Sequence, residues 1–156
     1  EKRRKVSDKL EIFETKNFGE FKIIEKRKVP IAYVFSSKFK NIAEKLIEHG
    51  IEVEHVRGSF RGVAEVFIVD SLKHSERKFQ GHNEAKLFGR YETKDIEIDG
   101  GYYYVSTRQP KVNLIFYLLE PESDDGLVNW NFFDDFLIRE INENGRAIFP
   151  VFKIRE

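Results

Sequence analysis

The side chains best able to do chemistry in this sequence are its histidines, the acids near them, and a few polar residues set among large hydrophobes. His49-Gly50-Ile51-Glu52 has the His-x-x-Glu spacing of a two-ligand metal element. Gly50 reads as a helix stop, so the pair straddles a helix end and a strand start; His49 is expected to interact with the C-terminal carbonyls of its own helix. His74 and His82, with Glu76 and Glu84 nearby, have the composition of a divalent-ion loop or of a small hydrolase centre, but a third fixed ligand is missing. After Gln80 and Gly81, the imidazole of His82 is expected to bond backbone around the glycine. Glu120, Glu122, Asp124 and Asp125 offer carboxylates for acid/base work, yet calcium-loop spacing is absent and helix capping accounts for the two aspartates. Ser36, Ser37, Ser71 and Ser106 lack a nucleophile elbow, and the glycine loop 57–62 lacks the Gly-Lys-Ser/Thr ending of a phosphate loop.

Asn113, Asn131 and Asp134 lie among apolar residues of two helix-like runs. If buried, each needs a partner or costs a few kcal/mol, and the indole N–H of Trp130 is a donor within reach in sequence. Two readings are open. These residues form a structural network that docks the second helix on a sheet, or Gln109, Trp130 and Asn131 form part of a contact with another domain.

The elements that must position these groups centre on residues 109–137. Val112, Ile115, Phe116 and Leu119 fall at i, i+3, i+4 and i+7, one face of a helix that Pro110 opens and Pro121 ends. Ser123 as cap and Asp124 and Asp125 in the first turn predict a second helix, with Leu127, Trp130, Leu137 and Ile141 as its buried stripe and Asn144-Gly145 as its stop. Upstream, Ile31-Ala32-Tyr33-Val34-Phe35 reads as a buried strand, with Ser36-Ser37 as a cap for the next helix. In that helix Phe39, Ile42, Ala43, Leu46 and Ile47 keep helical period, and Ile51, Val53 and His55 then alternate as a strand. That is a strand-helix-strand unit, for which a right-handed parallel crossover is expected. A hairpin is predicted around Lys16-Asn17-Phe18-Gly19, and an exposed edge strand over 22–28. Residues 63–72 read as strand, 73–83 as a polar loop, and the stretches either side of Asp99-Gly100-Gly101 as a hairpin. Residues 147–154 supply a last strand. The fold class expected is α+β: a mixed sheet with one βαβ unit plus antiparallel strands, covered by two C-terminal helices.

The run 104–134, YVSTRQPKVNLIFYLLEPESDDGLVNWNFFD, resembles the C-terminal region of zinc carboxypeptidase-like proteins of the carboxypeptidase A type, with their "QP…YLLEP-S-D-G…WNFF" stretch. The strand at 29–34, the helix-turn-strand LIEHGIEVEHV and the segment Phe79-Gln80-Gly81-His82 are similar in the same order, so the resemblance spans about 29–134. It implies an accessory region of a peptidase whose catalytic domain, with its zinc, lies upstream in the same polypeptide. The fragment itself then needs no cofactor, and its partner is that upstream domain. Export from the cell is a property the resemblance brings with it. The alternative from a different class is a free-standing module that binds a peptide or carbohydrate through its sheet edge or the 73–83 region; a third reading is an independent hydrolase built on His74 and His82.

Composition bounds these readings. The chain of 156 residues suits one domain, here placed at 9–156 after a basic linker at 1–8. Twenty-seven basic and 27 acidic residues cancel to a net charge of +0, which disfavours nucleic acid as a partner even with Tyr102, Tyr103 and Tyr104 beside Arg108. No apolar run reaches membrane-spanning length. Cysteine is absent, which removes disulfides, thiolate metal sites and a cysteine nucleophile. Glu1 opens the chain and Met is absent, so a piece of a longer protein is expected.

Overall fold

A computed structural model describes residues 14–16, 19 and 26–155. The hairpin expected around residues 16–19 and most of the edge strand over 22–28 lie outside these residues.

The order of elements is β1 (Ala32–Ser36), α1 (Lys40–Glu48), β2 (Glu54–Val56), β3 (Phe60–Phe79), β4 (His82–Ile98), β5 (Tyr102–Ser106), α2 (Val112–Leu119), α3 (Asp134–Asn144), β6 (Ala147–Ile148) and β7 (Val151–Ile154). The seven strands form one sheet in the order β2-β5-β1-β7-β3-β4, with β6 beside β3. This is an α+β fold with two C-terminal helices. Each ladder among the described residues is antiparallel. The strand-helix-strand unit is present, and β1 and β2 run in the same direction because both are antiparallel to β5, which lies between them.

Local chemistry explains most of these boundaries. Alternation on β1 sends Tyr33 and Phe35 into the main core, and α1 answers with Ile42, Ala43 and Leu46. Phe39 is the N-cap of α1 with no side-chain hydrogen bond, so the serines do not cap it; Ser36 Oγ accepts from the N–H of Lys38 instead. Gly50 at φ 71° turns the chain after α1, where a side chain would be strained. Helix α2 buries Ile115, Leu118 and Leu119, and Gly145 at φ 74° ends α3 as its sequence predicts.

Three expectations need correction. Residues 73–83 are not a loop: Lys73 to Phe79 continue β3, His82 onward belongs to β4, and the reversal is confined to Gln80 (φ 47°) and Gly81 (φ 93°). Bulges between Val69 and Ser71 and between His74 and Lys78 interrupt the ladder, which hides its alternation in the sequence. Strands β4 and β5 do not form the hairpin expected across Asp99-Gly100-Gly101: two glycines at positive φ redirect the chain, and β5 pairs with β1 and β2. The second helix begins at Asp134 rather than after Ser123, with turns over 121–133. Here Asp124 accepts from Tyr117 Oη (2.8 Å) and Asp125 from Trp130 Nε1 (2.6 Å), so both carboxylates are committed to side chains instead of to helix N–H groups.

Candidate functional site

Two polar clusters sit on the described chain. The first lies at the distal end of the β3-β4 hairpin, where residues 129–134 lap against it. Asp134 Oδ2 bonds His74 Nε2 at 2.7 Å and accepts from Asn131 Nδ2 at 3.0 Å. Asn131, held at φ 65°, also donates to the carbonyl of Asn83 at 3.0 Å. Asparagine tolerates this left-handed backbone better than most residues, so one side chain both permits the turn and ties it to the hairpin. Trp130 stacks on His82 with ring centroids 4.3 Å apart and 27° between planes, and Phe79 meets the imidazole edge-on at 6.5 Å. His82 Nε2 is buried without a hydrogen-bond partner among the described residues. The expectation that this imidazole bonds backbone at Gly81 gives way to ring stacking, and the expected indole donation to a helix-borne polar group gives way to Asp125.

The proposed site residues thus divide. His82, Trp130, Asn131 and Asp134 come together, with His74 joined to them; Gln80 occupies the adjacent reversal. Gln109 lies elsewhere. Its amide accepts from the N–H of Glu52 (2.8 Å) and donates to the carbonyls of Glu52 (3.0 Å) and Ser106 (2.8 Å), clamping the entry to β2 against the end of β5. Asn113 faces solvent on α2 and belongs to no buried network. His49 and Glu52 do not form a metal pair: His49 caps α1, its carbonyl accepts from Lys111 Nζ at 2.6 Å, and the backbone of Glu52 is held by Gln109. Among the described residues, no three His, Asp or Glu side chains converge as a metal site. The residues here therefore do not fit a zinc centre of the kind the resemblance places upstream.

The second cluster is not visible in the sequence. Glu120, only 4% exposed, follows the last turn of α2 and points its carboxylate at the sheet. It accepts from Tyr33 Oη at 2.7 Å, Tyr91 Oη at 3.0 Å and Lys153 Nζ at 2.6 Å. Lys153 is 3% exposed; its ammonium also reaches Glu65 Oε1 at 3.2 Å and lies 4.0 Å from the centre of the Tyr91 ring. Arg155 closes the chain of charges by gripping Glu65 with two bonds of 2.9 and 2.7 Å. Register explains the assembly: Tyr33 pairs with Lys153, Lys153 with Glu65, and Phe67, two residues on, with Tyr91. These side chains stand in one row on the core face of β1, β7, β3 and β4. A carboxylate at a helix C-terminus opposes the helix dipole, and the buried ammonium beneath it offsets that cost. Burial, then the negative charge of Glu120, pushes the phenols of Tyr33 and Tyr91 far above their ordinary range. Burial also raises Glu65, but Arg155 and Lys153 outweigh it and hold that carboxyl below its usual value. The one pointer to this cluster is the acidic ending of α2, which reads as surface charge until its partners, drawn from separate strands, are known.

Comparison with known proteins places the chain at a distance from all that were matched. It is 25% identical over 104 residues to "Carboxypeptidase 2" of Trichophyton tonsurans, and equally to "Carboxypeptidase 2" of Trichophyton equinum. The matched stretch is 67% of this chain and 19% of each fungal protein. No family model matches, and no solved structure matches. The chain has a distant carboxypeptidase relationship, confined to a small part of those proteins' length.

Proposed function

We propose that this chain is a noncatalytic, C-terminal domain of a carboxypeptidase-like protein. The reaction, hydrolysis of a peptide or amide bond near a substrate's C terminus, belongs in this reading to an upstream catalytic region, which would also hold the zinc. The observation that carries the reading is the proportion of the match: two thirds of this chain against about a fifth of the relatives' length. The commitments of the polar residues support it. Gln109 ties loops together, Glu120 and Lys153 pin α2 to the sheet, and Asp134 fixes α3 to the hairpin, so each acts as a fastener. The surface assigned to the upstream region is the ledge of Phe79 and Trp130, 49% and 36% exposed and joined through the His82 ring.

The test compares the longer polypeptide with and without residues 26–155, alongside the purified chain, on peptides with free C termini. The expected result is no turnover by the chain alone, activity in the longer polypeptide, and lower activity or melting temperature once the domain is removed. Turnover by the chain alone that disappears in His74→Ala would replace this reading with that of an independent hydrolase. A longer polypeptide with no C-terminal peptidase activity would end the carboxypeptidase reading.

A further inference from the structure

A cavity of about 350 Å³ opens at the outer edge of β4, between the hairpin and residues 121–129. It lies at the small end of the range of ligand pockets, about 300–1,000 Å³. Three features of its lining are unexplained by packing. Lys73 and Lys86 are direct cross-strand partners, a like-charge pairing that costs stability, and neither has an acidic partner among the described residues. Both ammonium groups lie near the ring of Phe88, at 5.1 and 5.7 Å, and that ring is 42% exposed. Asn129 is 8% exposed, and its side-chain amide makes no hydrogen bond to another described residue. The Asn129 amide lines the cavity and is left open to a partner from outside the described residues.

The charges narrow what those partners are. The paired lysines call for an anion. The cavity also carries Glu84, which has no cation partner among the described residues, whereas the lining acids Glu122 and Asp124 are bonded to Arg27 and Tyr117. An acid and two lysines without charge partners among the described residues disfavour a multiply charged anion such as phosphate and suit a ligand carrying one charge of each sign. We propose that this cavity binds a free amino acid or dipeptide. The carboxylate lies at Lys73 and Lys86, the ammonium at Glu84, and an aromatic or large aliphatic side chain against Phe88, with Asn129 bonding a polar atom of the ligand backbone. The assignment does not depend on a catalytic region, so it can hold or fail separately from the accessory reading.

The experiment is a titration of the ¹⁵N-labelled chain with phenylalanine, leucine and the dipeptide Phe-Phe, followed by backbone amide shifts. Saturable shifts are expected at Lys86, Phe88, Ser123 and Asn129, and the ligand that gives them separates free amino acid from dipeptide. Phenylalanine amide and N-acetylphenylalanine should each bind about tenfold more weakly than phenylalanine, as the loss of one charge-assisted contact requires. Lys86→Glu, at an exposed position, should weaken binding by a similar factor or more while the melting temperature stays within a few degrees. No saturable shift with any of the three ligands at up to about 10 mM, enough to fill a site with a Kd near 1 mM, overturns the proposal. So does equal binding of the amide, or unchanged binding by Lys86→Glu.

Discussion

The two polar clusters differ in how they are made. The Glu120 cluster draws single residues from β1, β4 and β7 to a carboxylate at the end of α2, with Glu65 of β3 beyond, is almost dry, and gives its central carboxylate three donors. The hairpin cluster draws Trp130, Asn131 and Asp134 from one short segment, stays half open to solvent, and leaves His82 Nε2 unpartnered among the described residues. A fully satisfied buried network specifies one arrangement of the elements it joins, and partial satisfaction marks a place where energy is left for something else. The interior cluster therefore reads as a lock on the fold. The hairpin cluster reads as the surface available for contact.

The largest effect that could break this contrast is at Lys153. Lys153→Met leaves the Glu120 carboxylate buried without its cation, and the expected loss is about 3–5 kcal/mol in urea unfolding; the double variant with Glu120→Gln should recover part of it. A loss under about 1 kcal/mol would mean that the interior cluster is not a lock. Next is Gly89→Ala. A methyl group there meets the carbonyl oxygen of Ile68 at 2.0 Å, so the hairpin must shift beside its bulge, at a cost of about 1–3 kcal/mol or more. Asp134→Ala removes the partner of His74 and Asn131 at a half-open site, and should cost about 1–2 kcal/mol with changed imidazole resonances for His74. If it matched Lys153→Met in cost, the two clusters would be of one kind.

The smallest effect sharpens the contrast through pH. The phenols of Tyr33 and Tyr91 ionise far above their ordinary value of 10.0 when folded, because burial and Glu120 oppose the phenolate. A folded pKa above the unfolded one means that the folded state keeps a proton the unfolded state gives up. This contribution is complete below pH 10 and is lost as pH rises beyond it. Stability should fall on the alkaline side, and Tyr33→Phe should flatten that fall, as read from melting temperature against pH. An unchanged slope in Tyr33→Phe would remove the phenol from the interior lock.

How much of this is legible in the sequence depends on the range over which each feature is encoded. Helix α1 and its Gly50 stop, α2 with its Ile115 and Leu119 face, β1 and the Gly145 stop rest on local periodicity and turn chemistry, and the sequence-based reading of them holds, whereas the single last strand expected over 147–154 is broken at Phe149-Pro150 into β6 and β7. The distal half of β3-β4 reads as loop because its residues are polar on a two-stranded extension and bulges interrupt their alternation. Ser123 carries a helix-cap signature, but its hydroxyl is buried and the following acids are taken by Tyr117 and Trp130. The meeting of Trp130, Asn131 and Asp134 is foreseeable from closeness in the chain, although their partners His74 and Asn83 are not. The Glu120 cluster is beyond reach, since Tyr33, Glu65, Tyr91 and Lys153 become neighbours only through strand order and register.

That strand order has a temporal side. Among the described residues, the β2-β5-β1 half of the sheet and the β3-β4 half are hydrogen-bonded to one another through β7, the latest of these seven strands to be synthesised. At about 5–20 residues per second, β1 leaves the ribosome on the order of ten seconds before the strand that must lie beside it. For that interval a largely apolar strand has an open edge and the ammonium destined for Glu120 has not yet been made. The arrival of Val151–Ile154 then both covers that edge and brings the charge that secures it.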